Sequence, residues 1–361
     1  MPSPNEKRAG YTRISLFLIG FIAMAVAIAG MKLTASLMLP VMIAILLTFV
    51  LEPVVILLKK IKIPRVIGSV LVVLLIGVTL YIVGVVLYNS VRSIMTLYPK
   101  YETKFTELYI VAARLFNLPY DEHISLMQNL WGQLGIRERV QSLAFTASNT
   151  FAGFLGDSIM VVLLVVFLLL EIGHFRSRIE LAFAGIMSTR IQKIVADVVR
   201  QVARYLSVKF FISLTTGLLV GFILAWIGVD LPIIWGVISF ILNFIPNIGS
   251  IAAGFGASIF ALAQFWPEPG PVAATIATML GVNMVLGNVV EPRVQGQNLG
   301  LSPFIILVML SGWGWLWGFA GLILAVPMTV IIKIICENVP GLEAASIMMS
   351  SYSAVRQKHQ D

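Results

Sequence analysis

Long apolar runs, separated by short polar or basic punctuation, fill most of the chain. They fall at 14–30, 35–51, 66–87, 151–170, 210–229, 232–265, 271–290 and 303–333, and nearly all reach or approach the roughly 18 residues that carry a helix across a bilayer. Hydrocarbon offers no partner to an open sheet edge, so such runs must be helices. Barrel strands would alternate in polarity over about 10 residues, whereas Met160–Leu170 is apolar on every side. The pattern predicts an all-α, polytopic transmembrane fold with about eight hydrophobic segments.

Basic residues orient these segments. Lys7, Arg8 and Arg13 precede the first run, and Lys59, Lys60, Lys62 and Arg65 follow the second. The positive-inside rule puts both clusters, and hence the N-terminus, in the cytoplasm, with the first two runs as an outward-and-back pair. The third run then leads outside, into residues 89–150 of mixed charge. There Ile94, Tyr98, Tyr101, Phe105, Leu108, Ala112 and Leu115 recur at helical spacing, a stripe expected to pack against the protein itself. The fourth run returns to a basic stretch from Arg176 to Lys209, where Ile179, Phe183, Met187, Ile191, Ile194, Val198, Val202 and Tyr205 read as one apolar helical face. That segment is expected to lie along the membrane interface, with its cations at the headgroups. The resulting organisation is 1–88 for three spans, 89–150 for an extracytoplasmic excursion, 151–209 for span four and the basic helix, 210–335 for a transport core, and 336–361 for a cytoplasmic tail.

The second half departs from simple crossing. Residues 232–265 form 34 consecutive positions of apolar character, about 50 Å as one helix against about 30 Å of hydrocarbon. In their middle stands Asn243-Phe244-Ile245-Pro246-Asn247-Ile248-Gly249-Ser250, where proline removes a donor and glycine permits a turn, so the helix should break. The run 303–333 also opens on proline and carries Gly312-Trp313-Gly314-Trp315-Leu316-Trp317-Gly318 near its centre. Each long run follows an ordinary span and a polar link, a weak repeat of about 70 residues. The C-terminal Lys333, Arg356 and Lys358 belong in the cytoplasm. That is satisfied if both long runs are re-entrant hairpins of opposite orientation, and equally if both cross with kinks. Inverted repeats with broken helices favour the hairpins.

Composition narrows the chemistry. Hydrophobic residues make up 59% and charged residues 12%, where soluble domains carry about 25% charged. The net charge of +8 sits in blocks beside apolar runs, which points to a lipid bilayer and not to nucleic acid. One cysteine, Cys336, three scattered histidines and the lack of a Walker A loop leave no redox, metal, cofactor or ATP chemistry to expect, and no nucleophile–base pair to make an enzyme. The candidate path for a small polar solute comprises Asn243, Pro246, Asn247, Gly249 and Ser250 at the first break, Asn283, Asn288 and Glu291 in the link, and Trp313 and Trp315 at the second break. Amides bind polar solutes without the cost of a buried charge, although they also bridge helices. Glu52 and Glu291 are the groups that would titrate in a cation/proton antiporter. Glu291 has a salt bridge to Arg293 as its plainer reading.

Asp230-Leu231-Pro232, Trp235-Gly236, the run from Asn243 to Gly249, Glu291-Pro292, Gly296 to Pro303, Trp317-Gly318, Gly321 and Ala325-Val326-Pro327 occur in an order that resembles the autoinducer-2 exporter (AI-2E) family of prokaryotic transporters. The resemblance covers nearly the whole chain. It implies an exporter of the bacterial inner membrane, with eight hydrophobic segments and a homo-oligomeric assembly. Members of the family are associated with the quorum-sensing signal autoinducer-2, and others resemble sodium–proton antiporters. Asn247 stands where the pattern leads one to expect a tyrosine, and Glu291 where asparagine is common. A non-transporting scaffold, docking through 89–150 and the basic helix, is the reading from another class.

Overall fold

The computed structural model describes residues 4–79, 136–183, 185–295 and 300–352, with isolated positions between 81 and 104 and Arg356. Most of the 89–150 stripe and the break at 117–119 lie outside the described residues. Apart from one isolated bridge between Leu301 and Ser350, every element among them is helical. The helices are α1 (Pro4–Leu33), α2 (Ala35–Lys60), α3 (Arg65–Thr79), α4 (Ile136–Ala182), α5 (Gly185–Ile227), α6 (Pro232–Leu242), α7 (Ile248–Phe265), α8 (Pro269–Asn283), α9 (Glu291–Gln295), α10 (Pro303–Asn338) and α11 (Glu343–Met349). A π-helical segment, Met284–Val290, joins α8 to α9. Six of these stretches are long and apolar enough to cross a membrane, and three shorter apolar helices accompany them. Taking α6 and α7 as halves of one broken run leaves eight apolar segments.

α1 and α2 meet at a single residue, Thr34, at φ −97° and ψ 17°. α4 has 47 residues and α5 has 43, about 70 Å and 65 Å, each more than twice the hydrocarbon thickness. Both run through the expected boundaries at 150 and 209, and α10 runs through the one at 335. The basic stretch is therefore not an interfacial helix lying flat beside a separate span. From Arg190 onward it is the first half of α5, in line with the crossing half. The reason is local: no glycine or proline occurs between 186 and 216, and Ile194, Val198, Val202, Tyr205 and Leu206 pack against α10 instead of lipid. The expected single face also breaks, because Ile179 and Phe183 lie before a turn in which Gly185 takes φ +59°.

Both long runs of the second half are broken and fold back. In the first, α6 ends at Leu242 and α7 starts at Ile248. The far end of α7 returns to where α6 began: Gln264 accepts from Asp230 N at 2.7 Å and donates to Gly228 O at 2.7 Å. In the second, Trp317 (φ −126°, ψ 15°) and Gly318 (φ 62°, ψ −140°) interrupt α10. Its two limbs touch so closely that a Cβ on Gly321 would lie 1.9 Å from Trp313 O. The corresponding contact in the first run would be 1.7 Å, from Gly249 to Leu242 O. The opening prolines, Pro232 and Pro303, and the positive-φ turn residues, Asn247 and Gly318, are each 71 positions apart, so the repeat is geometric as well as sequential.

The two hairpins point in opposite directions along α5. The base of the first is tied to residues 228–230, just past the C-terminal end of α5. The base of the second is tied to its N-terminal part, where the Arg190 guanidinium donates to Asn338 O. α11 closes this second base, since Ser302 N donates to Met349 O at 2.9 Å and Ser351 N to Gly300 O at 2.8 Å. A separate small bundle, α2, α3 and α4, packs through Ala44, Val55, Val72, Val165 and Leu169.

Candidate functional site

The tips of the two hairpins share one core. Ile245, from the first tip, joins Trp313, Leu316 and Trp317 from the second, with Leu46 of α2 and Val202 and Tyr205 of α5. α6 is 11 residues long and α7 is 18, about 16 Å and about 27 Å, so the two limbs of the first hairpin are unequal. The turn closes most of its own polar groups: Phe244 N donates to Ile241 O, Ile245 N to Leu242 O at 2.9 Å, Ile248 N to Pro246 O at 2.7 Å, and Gly249 N to Ile245 O at 3.2 Å. The helix ends are thus less open to a solute than an interrupted helix would otherwise leave them.

α5 lines this region with a polar stripe. Tyr205, Lys209, Ser213 and Thr216 recur every three or four residues and are all buried, so they share one face. Asn243 Nδ2 donates to Ser213 Oγ at 3.0 Å, fastening the first tip to α5. Higher along the same contact, Gly217 and Gly221 meet Gly236 backbone to backbone; a Cβ on Gly217 would come within 2.7 Å of Gly236 O. This small-xxx-small spacing lets two membrane helices approach without interlocking side chains, and it is a signal the polar residues alone do not reveal.

The main charge in the region is an ion pair. Lys209 Nζ reaches Glu291 Oε1 at 2.8 Å and Oε2 at 3.0 Å, with side-chain exposures of 5% and 15%. Glu291 therefore takes Lys209 as its partner, 82 positions away, in place of the expected Arg293. Removing one member of such a pair leaves an uncompensated charge at a cost of about 3–5 kcal/mol. The π segment ends at the residue before Glu291, and single π turns inside α-helices are frequent at functional positions.

The remaining candidates divide. Asn247 is the exposed, positive-φ turn residue, φ 61°, whose carbonyl accepts from Ser250 Oγ at 3.2 Å; Pro246 and Gly249 shape the same turn. Trp313 is buried, its ring 5.0 Å from that of Trp317, and its Nε1 has no acceptor among the described residues. The Oγ of Ser239, one turn before Asn243, is likewise buried without a partner among them. Trp315 is turned away: 62% exposed, it lies under Lys32 Nζ at 3.6 Å. Asn283 is half-buried, its Oδ1 3.1 Å from where a Cβ on Gly287 would stand, and Asn288 is exposed. Glu52 belongs to the other bundle, where Arg65 grips both its oxygens at 2.8 Å and also donates to Leu169 O at 2.9 Å. Glu171 is paired with Arg178.

At the opposite end of α5, Asp230 anchors a second polar group. Lys100 Nζ lies 2.5 Å from Asp230 Oδ2, Tyr101 OH donates to the same oxygen at 2.8 Å, and the Tyr101 ring sits 4.7 Å from that of Phe260. Partial burial pushes the Asp230 carboxyl up, but the hydrogen bonds from Lys100 and Tyr101, with the ammonium charge, outweigh it and hold the group below the ordinary carboxylate value. Burial, and then donation to Asp230, raise Tyr101 far above the ordinary phenol.

The family model for AI-2E family transporters matches residues 21–341. A Borreliella burgdorferi protein provisionally named as a transport protein is 32% identical over 337 residues, covering 93% of this chain and 91% of its own. The AI-2 transport protein TqsA of Escherichia coli (strain K12) is 27% identical over 332 residues, 91% of this chain and 93% of its own. The provisionally named transport protein YhhT of the same organism is 29% identical over 354 residues, 97% of each chain. Nothing in these relatives supports cation/proton exchange.

Proposed function

We propose that this chain, which belongs to the AI-2E family of transporters, exports a small polar solute along the α5 stripe, through a path that the two hairpin tips close. The observation that carries the reading is the meeting of two oppositely directed broken segments in one core, with Ile245 against the Trp313–Trp317 pair. Irregular backbone is tolerated at membrane depth where protein buries it or where it lines a cavity, and broken repeats of opposite direction are a recurring transporter plan. The contacts assigned to the solute are Asn243, the Trp313 Nε1 and the Ser239 hydroxyl, the latter two without a partner among the described residues, with Pro246, Asn247, Gly249 and Ser250 shaping the tip. The mechanism is secondary or facilitative. The bilayer is the bacterial inner membrane, the basic clusters place both termini in the cytoplasm, and copies of the chain associate as a homo-oligomer. Because TqsA is named for AI-2, AI-2 is the first solute assigned to this path.

The test compares cells lacking the protein with cells expressing it, measuring AI-2 inside and outside. Expression should raise the external share several-fold, and Asn243→Ala should remove most of that gain while leaving the amount of protein in the membrane unchanged. An unaltered distribution of AI-2 eliminates that solute, and an unaltered response to Asn243→Ala eliminates the path assignment.

A further inference from the structure

We propose that the Lys209–Glu291 and Lys100–Asp230 ion pairs are the inner and outer gates of this path, breaking in turn so that it opens to one side at a time. The inference rests on the transport reading above and adds to it the moving parts.

The two pairs bracket the crossing half of α5. Lys209 and Ile227, the last residue of α5, are 18 positions apart, about 27 Å along the helix against a hydrocarbon core of about 30 Å, and Asp230 follows just beyond. One pair therefore sits toward each end of this stretch, and the hairpin tips meet α5 beside the inner pair, Asn243 bonding Ser213 one turn past Lys209 and Ile245 sharing a core with Tyr205 and Val202 just before it. Each ties this same stretch to a different body. Glu291 begins α9 in the link between the two hairpins, and Lys100 and Tyr101 belong to the chain after α3, 130 and 129 positions from Asp230. Gln264 adds the base of the first hairpin to the outer group, since its Oε1 takes both Asp230 N and, at 3.3 Å, Tyr101 OH.

What lies between the gates permits motion. The Gly217–Gly221–Gly236 contact is backbone on backbone, so no interlocked side chains hold α6 to α5 at that level, and a pivot of the first hairpin there has the Phe210–Phe240 contact and the Asn243–Ser213 bond to release. The π segment Met284–Val290 supplies a hinge beside the inner gate. A π turn holds one residue more than an α turn, and its relaxation would rotate Glu291 by about 100° about the helix axis, away from Lys209. Lys209 is so deeply buried that it cannot part from Glu291 unless water replaces the carboxylate, so breaking this pair and wetting the inner half of the path are one event. Asp230, at 26% exposure, already touches solvent from the other side. Both pairs are intact here, with the tips packed together, as expected of an occluded state.

The experiment needs no identified solute. Ser250→Cys is placed at the first tip of the full-length protein in a Cys336→Ser background, and a membrane-impermeant maleimide is applied to right-side-out and inside-out vesicles. Labelling should be slow from both sides in this parent. Lys209→Met or Glu291→Gln should raise it several-fold from the cytoplasmic side only, and Lys100→Met or Asp230→Asn from the outer side only. The charge-exchanged Lys209→Glu/Glu291→Lys double variant should return inner labelling toward the parent. Equal gains from both sides in every variant, or no gain in any, would overturn the gates, because the pairs would then be structural ties alone. Reciprocal labelling with the sides exchanged supports the gates and overturns only the assigned orientation, and reciprocal labelling without AI-2 export supports the gates while removing the solute.

Discussion

Gly249→Ala and Gly321→Ala place a methyl carbon where each hairpin folds onto itself. The added carbon would fall 1.7 Å from Leu242 O in the first case and 1.9 Å from Trp313 O in the second. Ordinary contact requires more than about 3 Å, so the limbs must separate by roughly 1.5 Å, and neither obstacle is a side chain that can rotate away. Overpacking of this kind costs about 1–3 kcal/mol even where side chains adjust, and here backbone must move, so the upper part of that range is expected. The separation also draws Ile245 off the tryptophan pair, since both tips share that core. Gly281 and Gly270 are matched controls: each is helical with nothing within 4 Å of its added Cβ, and alanine there should be neutral or slightly stabilising through helix propensity. Thermal unfolding in detergent, followed by tryptophan fluorescence, should show both hairpin variants melting several degrees below wild type while the controls stay within about a degree. Hairpin variants that melt with the controls would refute the close folding of the two segments.

Asp230 carries a pH signature. Its carboxyl is held low by Lys100 and Tyr101, so its contribution to stability is complete above the unfolded carboxylate value of about 4 and is lost as pH falls through its own lower value. Melting curves from pH 6 downward should therefore converge for wild type and Asp230→Asn at the acid end and separate above it; parallel curves would count against the network. Arg65→Ala should destabilise the α2–α3–α4 bundle by a few kcal/mol because it strands the partly buried Glu52, and adding Glu52→Gln should recover much of the loss in the same melting assay. A double-mutant cycle of Asn243→Ala with Ser213→Ala should give a coupling of about 0.6 kcal/mol, typical of interhelical hydrogen bonds in membranes, and a coupling of zero would remove the assigned bond.

The breaks were legible because proline, asparagine and glycine cluster within residues 243–250 of an otherwise mostly apolar run, and local backbone chemistry acts over a few residues. Gly318 was legible for the same reason, since only glycine readily takes a positive φ at mid-helix. The stripe of Tyr205, Lys209 and Ser213 was readable as a face but not as a function. Lys209 closes a row of basic residues, and a row of cations beside an apolar run describes a membrane surface equally well. Its partner is 82 positions away, and no local pattern records which of several carboxylates a folded chain will bring to it. The continuity of α5 through residue 209 was written in the absence of glycine and proline from 186 to 216, but change of polarity is the stronger visual boundary and it misplaces the joint.

This division bears on which charges can do work. Glu52 and Glu291 look alike in the sequence, each closing an apolar run near basic residues, yet their surroundings separate them. Glu52 is chelated by Arg65, whose guanidinium also donates to Leu169 O and so staples three helices of one bundle; moving it would unfasten that bundle. Glu291 faces a single ammonium across the joint between α5 and the hairpin link, so the pair can open while each helix remains whole. A transporter needs charges of the second kind at its moving joints and of the first kind everywhere else. Exchange of Lys209 for arginine tests the distinction: a planar guanidinium that binds both oxygens of Glu291 should slow opening of the inner side while raising the melting temperature, whereas a pair with only a structural role would change melting without changing tip labelling.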